Sequence, residues 1–189
     1  MSSSETSSDR LLRIAISGKS GCGNSTVSAL VARALGIELI NYTFKTVAKE
    51  RGLSADEVNR LAAEDPSWDI ELDKRQVEMA RQGSCVLASR LAVWKLEDAD
   101  LKVYLTAPVE IRARRIQKRE GGSFEEVLAD TVERDRRDRD RYLQLYNIDN
   151  DKYDFVDLVV DTTDKDTQTV ASLIVDEVGR RVGHKPIVD

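Results

Sequence analysis

Residues 11–36 read LLRIAISGKSGCGNSTVSALVARALG. Leu11 to Ser17 is an aliphatic run of strand length. Gly18 to Thr26 follows as a stretch of glycine and small polar residues, too short for an element of its own. From Val27 onward the apolar residues Val27, Leu30, Val31, Ala34 and Leu35 fall at i, i+3, i+4, i+7 and i+8, the stripe of one helix face. Gly36 then supplies a stop. The passage predicts strand, glycine loop and helix in that order.

The same alternation continues downstream. Ile37–Tyr42 reads as a short strand, Thr43–Arg51 and Ser54–Ala63 as helices parted at Gly52, with Ser54 and Glu57 spaced as a capping box. Asp69–Arg81 reads as a charged helix, Cys85–Ala88 and Leu101–Leu105 as buried strands, Val109–Glu120 and Phe124 to about Leu145 as helices. Phe155–Asp161 is expected to be the last strand and Asp166–Val182 the last helix. Strands alternating with helices imply an α/β domain with a parallel sheet covered on both faces. At 189 residues with 41% hydrophobic content, one domain over residues 11–182 is expected, between a disordered leader (1–10) and a flexible tail (183–189).

Composition removes several function classes. A net charge of −5 argues against a nucleic-acid coat. Two cysteines and one histidine, His184, leave no disulfide scaffold, no zinc site and no Ser-His-Asp triad. No stretch has the length and apolarity of a membrane span, and the Ser-rich start lacks the pattern of a signal peptide. A cytoplasmic monomer that engages neither membrane nor nucleic acid is expected.

Gly18-x4-Gly23-Asn24-Ser25 fits the P-loop frame G-x4-G-K-[S/T] except at Asn24. Glycines let such a loop curl so that backbone N–H groups converge on phosphate oxygens, and the following helix adds its positive end. Ser25 stands where the Mg2+-binding hydroxyl belongs, whereas Asn24 replaces the lysine and carries no charge. Lys19, or a distant arginine, is the candidate to supply it. The bland alternative is a tight strand-to-helix turn. Cys22 reads as a small loop residue.

Nine of the nineteen arginines lie between Arg112 and Arg141. Most read as members of a solvated, salt-bridged helix. Arg134, Arg137, Asp138 and Arg141, however, recur at i, i+3, i+4 and i+7, which places three guanidiniums and a carboxylate on one face. Polyphosphate is a natural partner for that face, since arginine grips phosphate oxygens bidentately.

The strings ISGKSGCGNSTVS, AEDPSWDIELDKRQVEMARQG, SRLAVW, LTAPVEIRARRIQKREG and ERDRRDRDRYLQLYNID together resemble the cytidylate kinases, in the short archaeal and spirochaete form. The resemblance runs from about Leu12 to Val178. It implies a three-layer P-loop NTPase fold with a five-stranded parallel sheet, acceptor-binding helices at about 43–83 and a lid at about 120–150. It implies transfer of a phosphoryl group from ATP or dATP to CMP, and possibly dCMP, with Mg2+. On this likeness Gly18, Lys19, Ser20, Gly21, Cys22, Gly23, Asn24, Ser25 and Thr26 wrap the donor phosphates, with Ser25 on the metal. Lys45 stands where relatives hold the acceptor phosphate with arginine. Arg90 touches the acceptor nucleotide, Asp138 holds its ribose, and Asp73 and Arg75 lie in the segment over its base. Lys19, Arg134, Arg137 and Arg141 are the candidate catalytic cations. Relatives usually carry an acid and a glycine where Ala88 and Ser89 stand. Two other readings share the frame: a P-loop kinase for another small molecule, and a degenerate module that binds nucleotide without turnover.

Overall fold

A computed structural model of the chain describes residues 11–182, so the expected leader and tail lie outside the described residues. Five strands form one parallel sheet: β1 (Arg13–Gly18), β2 (Glu38–Ile40), β3 (Cys85–Ala88), β4 (Leu101–Thr106) and β5 (Leu158–Asp161). Their order is β2-β3-β1-β4-β5, with every neighbouring pair parallel. The first strand is therefore central, and the chain crosses to opposite sides of it. Ligands of open α/β sheets bind at such a switch point, beyond the carboxyl ends of the strands.

The period of two along each strand divides the core. Ile14 and Ile16 of β1, Val86 of β3 and Leu101, Val103 and Leu105 of β4 pack on one face, against α1 (Asn24–Leu35) and α8 (Thr167–Val182). Ala15, Cys85, Leu87 and Tyr104 point the other way, toward α4 (Ser67–Ala80) and α5 (Ala92–Lys95). Helices α2 (Phe44–Arg51) and α3 (Ala55–Glu64) lie between β2 and α4 in the chain. Helices α6 (Val109–Glu120) and α7 (Phe124–Tyr146) make the arginine-rich section.

Local chemistry sets the ends. Ser54 and Glu57 form the expected box at α3, and Ser123 with Glu126 forms another at α7. Helix α7 ends at Asn147, whose left-handed φ of 55° turns the chain sharply back toward the sheet. Three boundaries differ from expectation. Helix α1 starts at Asn24 rather than Val27, because Gly23 accepts the N–H of Val27 at 2.9 Å and opens the first turn. Residues 155–157 do not join β5; Val156 N–H closes a turn onto Tyr153 O at 3.2 Å, and Phe155 is exposed. The four-residue α5 has no foretold counterpart. It is capped by the buried Ser17 hydroxyl of β1, which accepts the Val93 N–H at 3.2 Å.

Candidate active site

The phosphate loop follows the central strand, and three glycines shape it. A Cβ on Gly18 would lie 2.8 Å from the Leu105 carbonyl oxygen. A Cβ on Gly21, at φ +86°, would lie 2.7 Å from the Arg112 carbonyl oxygen. Gly23, at φ 90°, turns into α1. Two arginines of α6 grip the loop from below. Arg112, almost fully buried, donates to Ser20 O at 3.1 Å and to Ala107 O at 3.2 Å, and Arg115 donates to Gly21 O at 3.3 Å. They take up carbonyl oxygens that would repel an anion and place positive charge beneath it. Burial pushes the Cys22 thiol up, so Cys22 is a packing residue and not a reactive thiolate.

Asn24 is turned inward. Its Oδ1 accepts from Ser28 Oγ at 3.0 Å and its Nδ2 donates to Ser89 O at 3.4 Å, which ties the start of α1 to the end of β3. Ser25 and Thr26 are exposed in the first turn of α1. Lys19 sits at the mouth of the loop with its Nζ 2.5 Å from Asp151 and 3.9 Å from Asp135. Asp135, in turn, receives both Nη groups of Arg112, at 2.6 and 3.2 Å. The α7 segment and the turn after it are thereby held down on the phosphate loop. Gly18, Lys19, Arg90, Tyr104, Asp135, Asp138 and Asn150 line the narrow cleft between them.

From this cleft a chain of polar contacts runs outward. Arg90, just past β3, donates to Ser20 Oγ at 2.9 Å and pairs with Asp138 of α7 at 2.7 Å. Arg141 bonds the other oxygen of Asp138 at 3.1 Å and reaches Asp69 of α4 at 3.5 Å. Burial pushes the Asp69 carboxyl above its ordinary range, with Arg141 opposing. One turn further along α4, Asp73 accepts the Tyr146 hydroxyl at 2.7 Å, and the Lys95 ammonium sits 3.0 Å above the Tyr146 ring. Burial raises the Asp73 carboxyl and lowers the Lys95 ammonium.

Four buried atoms in the described residues have no hydrogen-bond partner: Asp69 Oδ2, Ser89 Oγ, Arg141 Nε and Asn150 Oδ1. All belong to residues of this cleft or to the strand end beside it. Native interiors satisfy nearly all such atoms, so these are places where a bound ligand supplies the partner.

The remaining sequence candidates spread out. Lys45 and Arg134 both lie within electrostatic reach of Glu120, whose carboxyl is held down first by the hydrogen bond from Arg119. Arg137 stays outside the cluster; its side chain is 66% exposed beside Glu133. Arg75 is not brought to Asp73. It lines a separate groove of about 390 Å3 between α2 and α4, with Tyr42, Arg51 and Trp68.

Sequence reasoning missed Arg112, Arg115 and Asp135, which were absorbed into the solvated-helix reading. Asp69, Lys95 and Tyr146 were missed as well. Arg112 and Arg115 do carry a signal: i, i+3 spacing on the helix that directly follows β4. Asp73 and Tyr146 are 73 positions apart, and nothing in the chain links them.

The donor set bears on metal. Ser25 and Ser89 offer hydroxyls, Ala88 offers nothing, and the described residues contain no cluster of three acidic, histidine or cysteine ligands. That set fits a cation arriving with its own phosphate oxygens and waters, and does not fit a protein-built cage.

A parallel sheet of this order, with a phosphate loop after its central strand and an arginine-bearing helix closing over it, defines a P-loop kinase. Solved structures agree on the fold. A shikimate kinase from Bacteroides thetaiotaomicron superposes with a TM-score of 0.62 at 14% identity, covering 92% of this chain and 99% of that one. A deoxyadenosine kinase from M. mycoides with bound dATP gives 0.53 at 19%, covering 89% and 100%. The model of the cytidylate kinase-like family matches residues 13–164, and the chain belongs to that family. It is 47% identical over 174 residues to cytidylate kinase 2 of Borrelia garinii subsp. bavariensis, covering 90% of this chain and 98% of the relative. To the cytidylate kinase of Pyrococcus horikoshii it is 38% identical over 168 residues, covering 88% and 87%.

Proposed function

We propose that the protein transfers the terminal phosphoryl group of ATP or dATP to CMP, and also to dCMP, giving CDP (or dCDP) and ADP or dADP. The observation that carries this reading is the contact chain from Ser20 through Arg90, Asp138 and Arg141 to Asp69, which joins the donor loop to the α4 cleft. An acceptor nucleotide lying along it would place its phosphate against the loop and its nucleoside against α4.

The acceptor's own phosphate oxygen, already anionic, attacks the terminal phosphorus. The bond to the bridging oxygen breaks, and the electron pair leaves with ADP. No side chain has to remove a proton. The loop amides and the start of α1 bind the donor phosphates. Arg90 and Arg141 orient the acceptor phosphate, with Lys45 and Arg134 at its edge, and Asp138 takes ribose hydroxyls. Lys19 exchanges Asp151 for donor oxygens and replaces the charge that Asn24 lacks. Mg2+, held by Ser25 with the nucleotide's oxygens and water, would neutralise charge as the bond breaks. Closure of α7 over both nucleotides keeps water out. The protein works as a cytoplasmic monomer on small nucleotides, with no role for nucleic acid or membrane; among the described residues no helix is long and apolar enough to cross a membrane.

The test is ADP formation from ATP and Mg2+ with CMP, dCMP, UMP, AMP and GMP supplied singly. Turnover with CMP well above AMP and GMP is expected; no turnover with any pyrimidine nucleotide overturns the reading. Within it, Lys19→Ala raises the KM for ATP about tenfold, the worth of one charge-assisted contact.

A further inference from the structure

Which pyrimidine the cleft prefers follows from which of its acids has an oxygen to spare. Four carboxylates from α4 and α7 face the cleft. Asp135 is taken by Arg112, through both oxygens. Asp138 is taken on one oxygen by Arg90 and on the other by Arg141. Asp73 accepts the Tyr146 hydroxyl and is not left with an unpaired buried atom. Asp69 differs: it is 5% exposed, its Oδ1 lies 3.5 Å from Arg141, and its Oδ2 is buried with no partner. An ionised carboxylate oxygen can only accept, so the group that completes it must be a donor.

Position along the contact chain says which donor. Ser20 belongs to the phosphate loop, and Asp69 stands at the opposite end, three arginine and aspartate links away. A nucleoside monophosphate with its phosphate at the loop has its ribose in the middle and its base at the far end. Cytosine and uracil differ there in one decisive group: an exocyclic amine, which donates, against a carbonyl, which only accepts.

We infer that Asp69 is the specificity-determining residue of the acceptor site, its free oxygen accepting an N–H of the exocyclic amine and so selecting cytosine over uracil. The inference rests on the pyrimidine-nucleotide reading above. Against UMP the same oxygen meets a carbonyl oxygen in a buried site, two acceptors with no proton between them, and sites built this way reject the wrong partner strongly. Arg141 holds the carboxylate ionised and in place.

The experiment compares kcat/KM for CMP, dCMP and UMP in the wild-type full-length chain and in Asp69→Asn, whose amide can donate to a carbonyl. The CMP-to-UMP ratio is expected to fall about tenfold or more in the variant, while the CMP-to-dCMP ratio stays as in the wild type. An unchanged CMP-to-UMP ratio overturns the inference and reduces Asp69 to a partner of Arg141. A changed CMP-to-dCMP ratio with an unchanged CMP-to-UMP ratio also overturns it and moves Asp69 to the ribose. A second measurement needs no variant: the CMP analogue with hydrogen in place of the exocyclic amine should lose about tenfold or more against CMP in the wild-type enzyme. Parity there overturns the inference as well. Failure of the broader reading looks different, since the wild-type chain would then turn over no pyrimidine nucleotide at all.

Discussion

The two halves of the cleft are built from different materials. On the donor side the backbone makes the site: glycine conformations fix the curl, and Arg112 and Arg115 occupy the loop's carbonyls from a buried position. On the acceptor side side chains make it. Charges from α4, α7 and the end of β3 meet in pairs, and three buried atoms in or against those pairs are left open: Asp69 Oδ2, Arg141 Nε and Ser89 Oγ. A site made of backbone binds what all donors share, a chain of phosphates. A site made of side chains can be respecified by changing one of them.

The contrast can be broken most severely at its joint. Arg112→Ala leaves Asp135 partly buried and without its bidentate partner, and the chain should lose about 3–5 kcal/mol of stability by chemical denaturation. Asp135→Asn should lose less, because no charge is stranded. Next comes Gly21→Ala, which puts a methyl against the Arg112 backbone in a left-handed conformation. Displacing the loop by even an ångström should cut kcat/KM about a hundredfold for every acceptor alike. A loss confined to one acceptor would show that the two halves are not separable.

The acceptor side is sharpened by a pair of variants on one helix. Arg141→Ala should lower kcat/KM for CMP about tenfold or more, the value of a charge-assisted contact. Arg137→Ala, at an exposed position with only Glu133 nearby, should stay within about twofold. Equal losses would mean that α7 rotates in the working complex.

The smallest effect belongs to the turn that carries Asp151 onto Lys19. Asp149 is held by both nitrogens of Arg139 at 2.9 Å, chiefly through that hydrogen bonding, and its carboxyl is pulled from 3.8 down to about 2. A depressed folded-state value means the contribution is complete above the ordinary range and fades as the pH falls toward about 2. Stability measured between pH 4 and 2 should therefore drop slightly less steeply in Asp149→Asn than in the wild-type protein.

Much of this was legible in the chain. The stretch 11–36 announced the central strand, its loop and its helix, because glycine spacing and apolar periodicity are local properties. Asp138, Arg141 and Arg90 could be named before any coordinates, and the fold places all three in one contact chain. Helix α5 escaped because four residues hold barely one helical period and its cap, Ser17, lies on a distant strand. Asp69 and Tyr146 escaped for the same reason at the level of chemistry: an aspartate in a charged helix looks solvated until a second helix buries it. Arg75 shows the converse. Two positions from Asp73 it shares the segment but not the face, since two residues along a helix turn the side chain well away.

One consequence of the contact chain concerns ionic strength. The arginines that would greet an acceptor are already matched by Asp69 and Asp138, and Lys19 by Asp151, so the empty cleft has little net attraction for stray anions. A nucleotide enters by exchanging carboxylates for its own phosphate and hydroxyls, with few small ions released. Its affinity should depend on salt far less than a count of nearby arginines suggests, and free phosphate, which can offer only part of that exchange, should compete poorly.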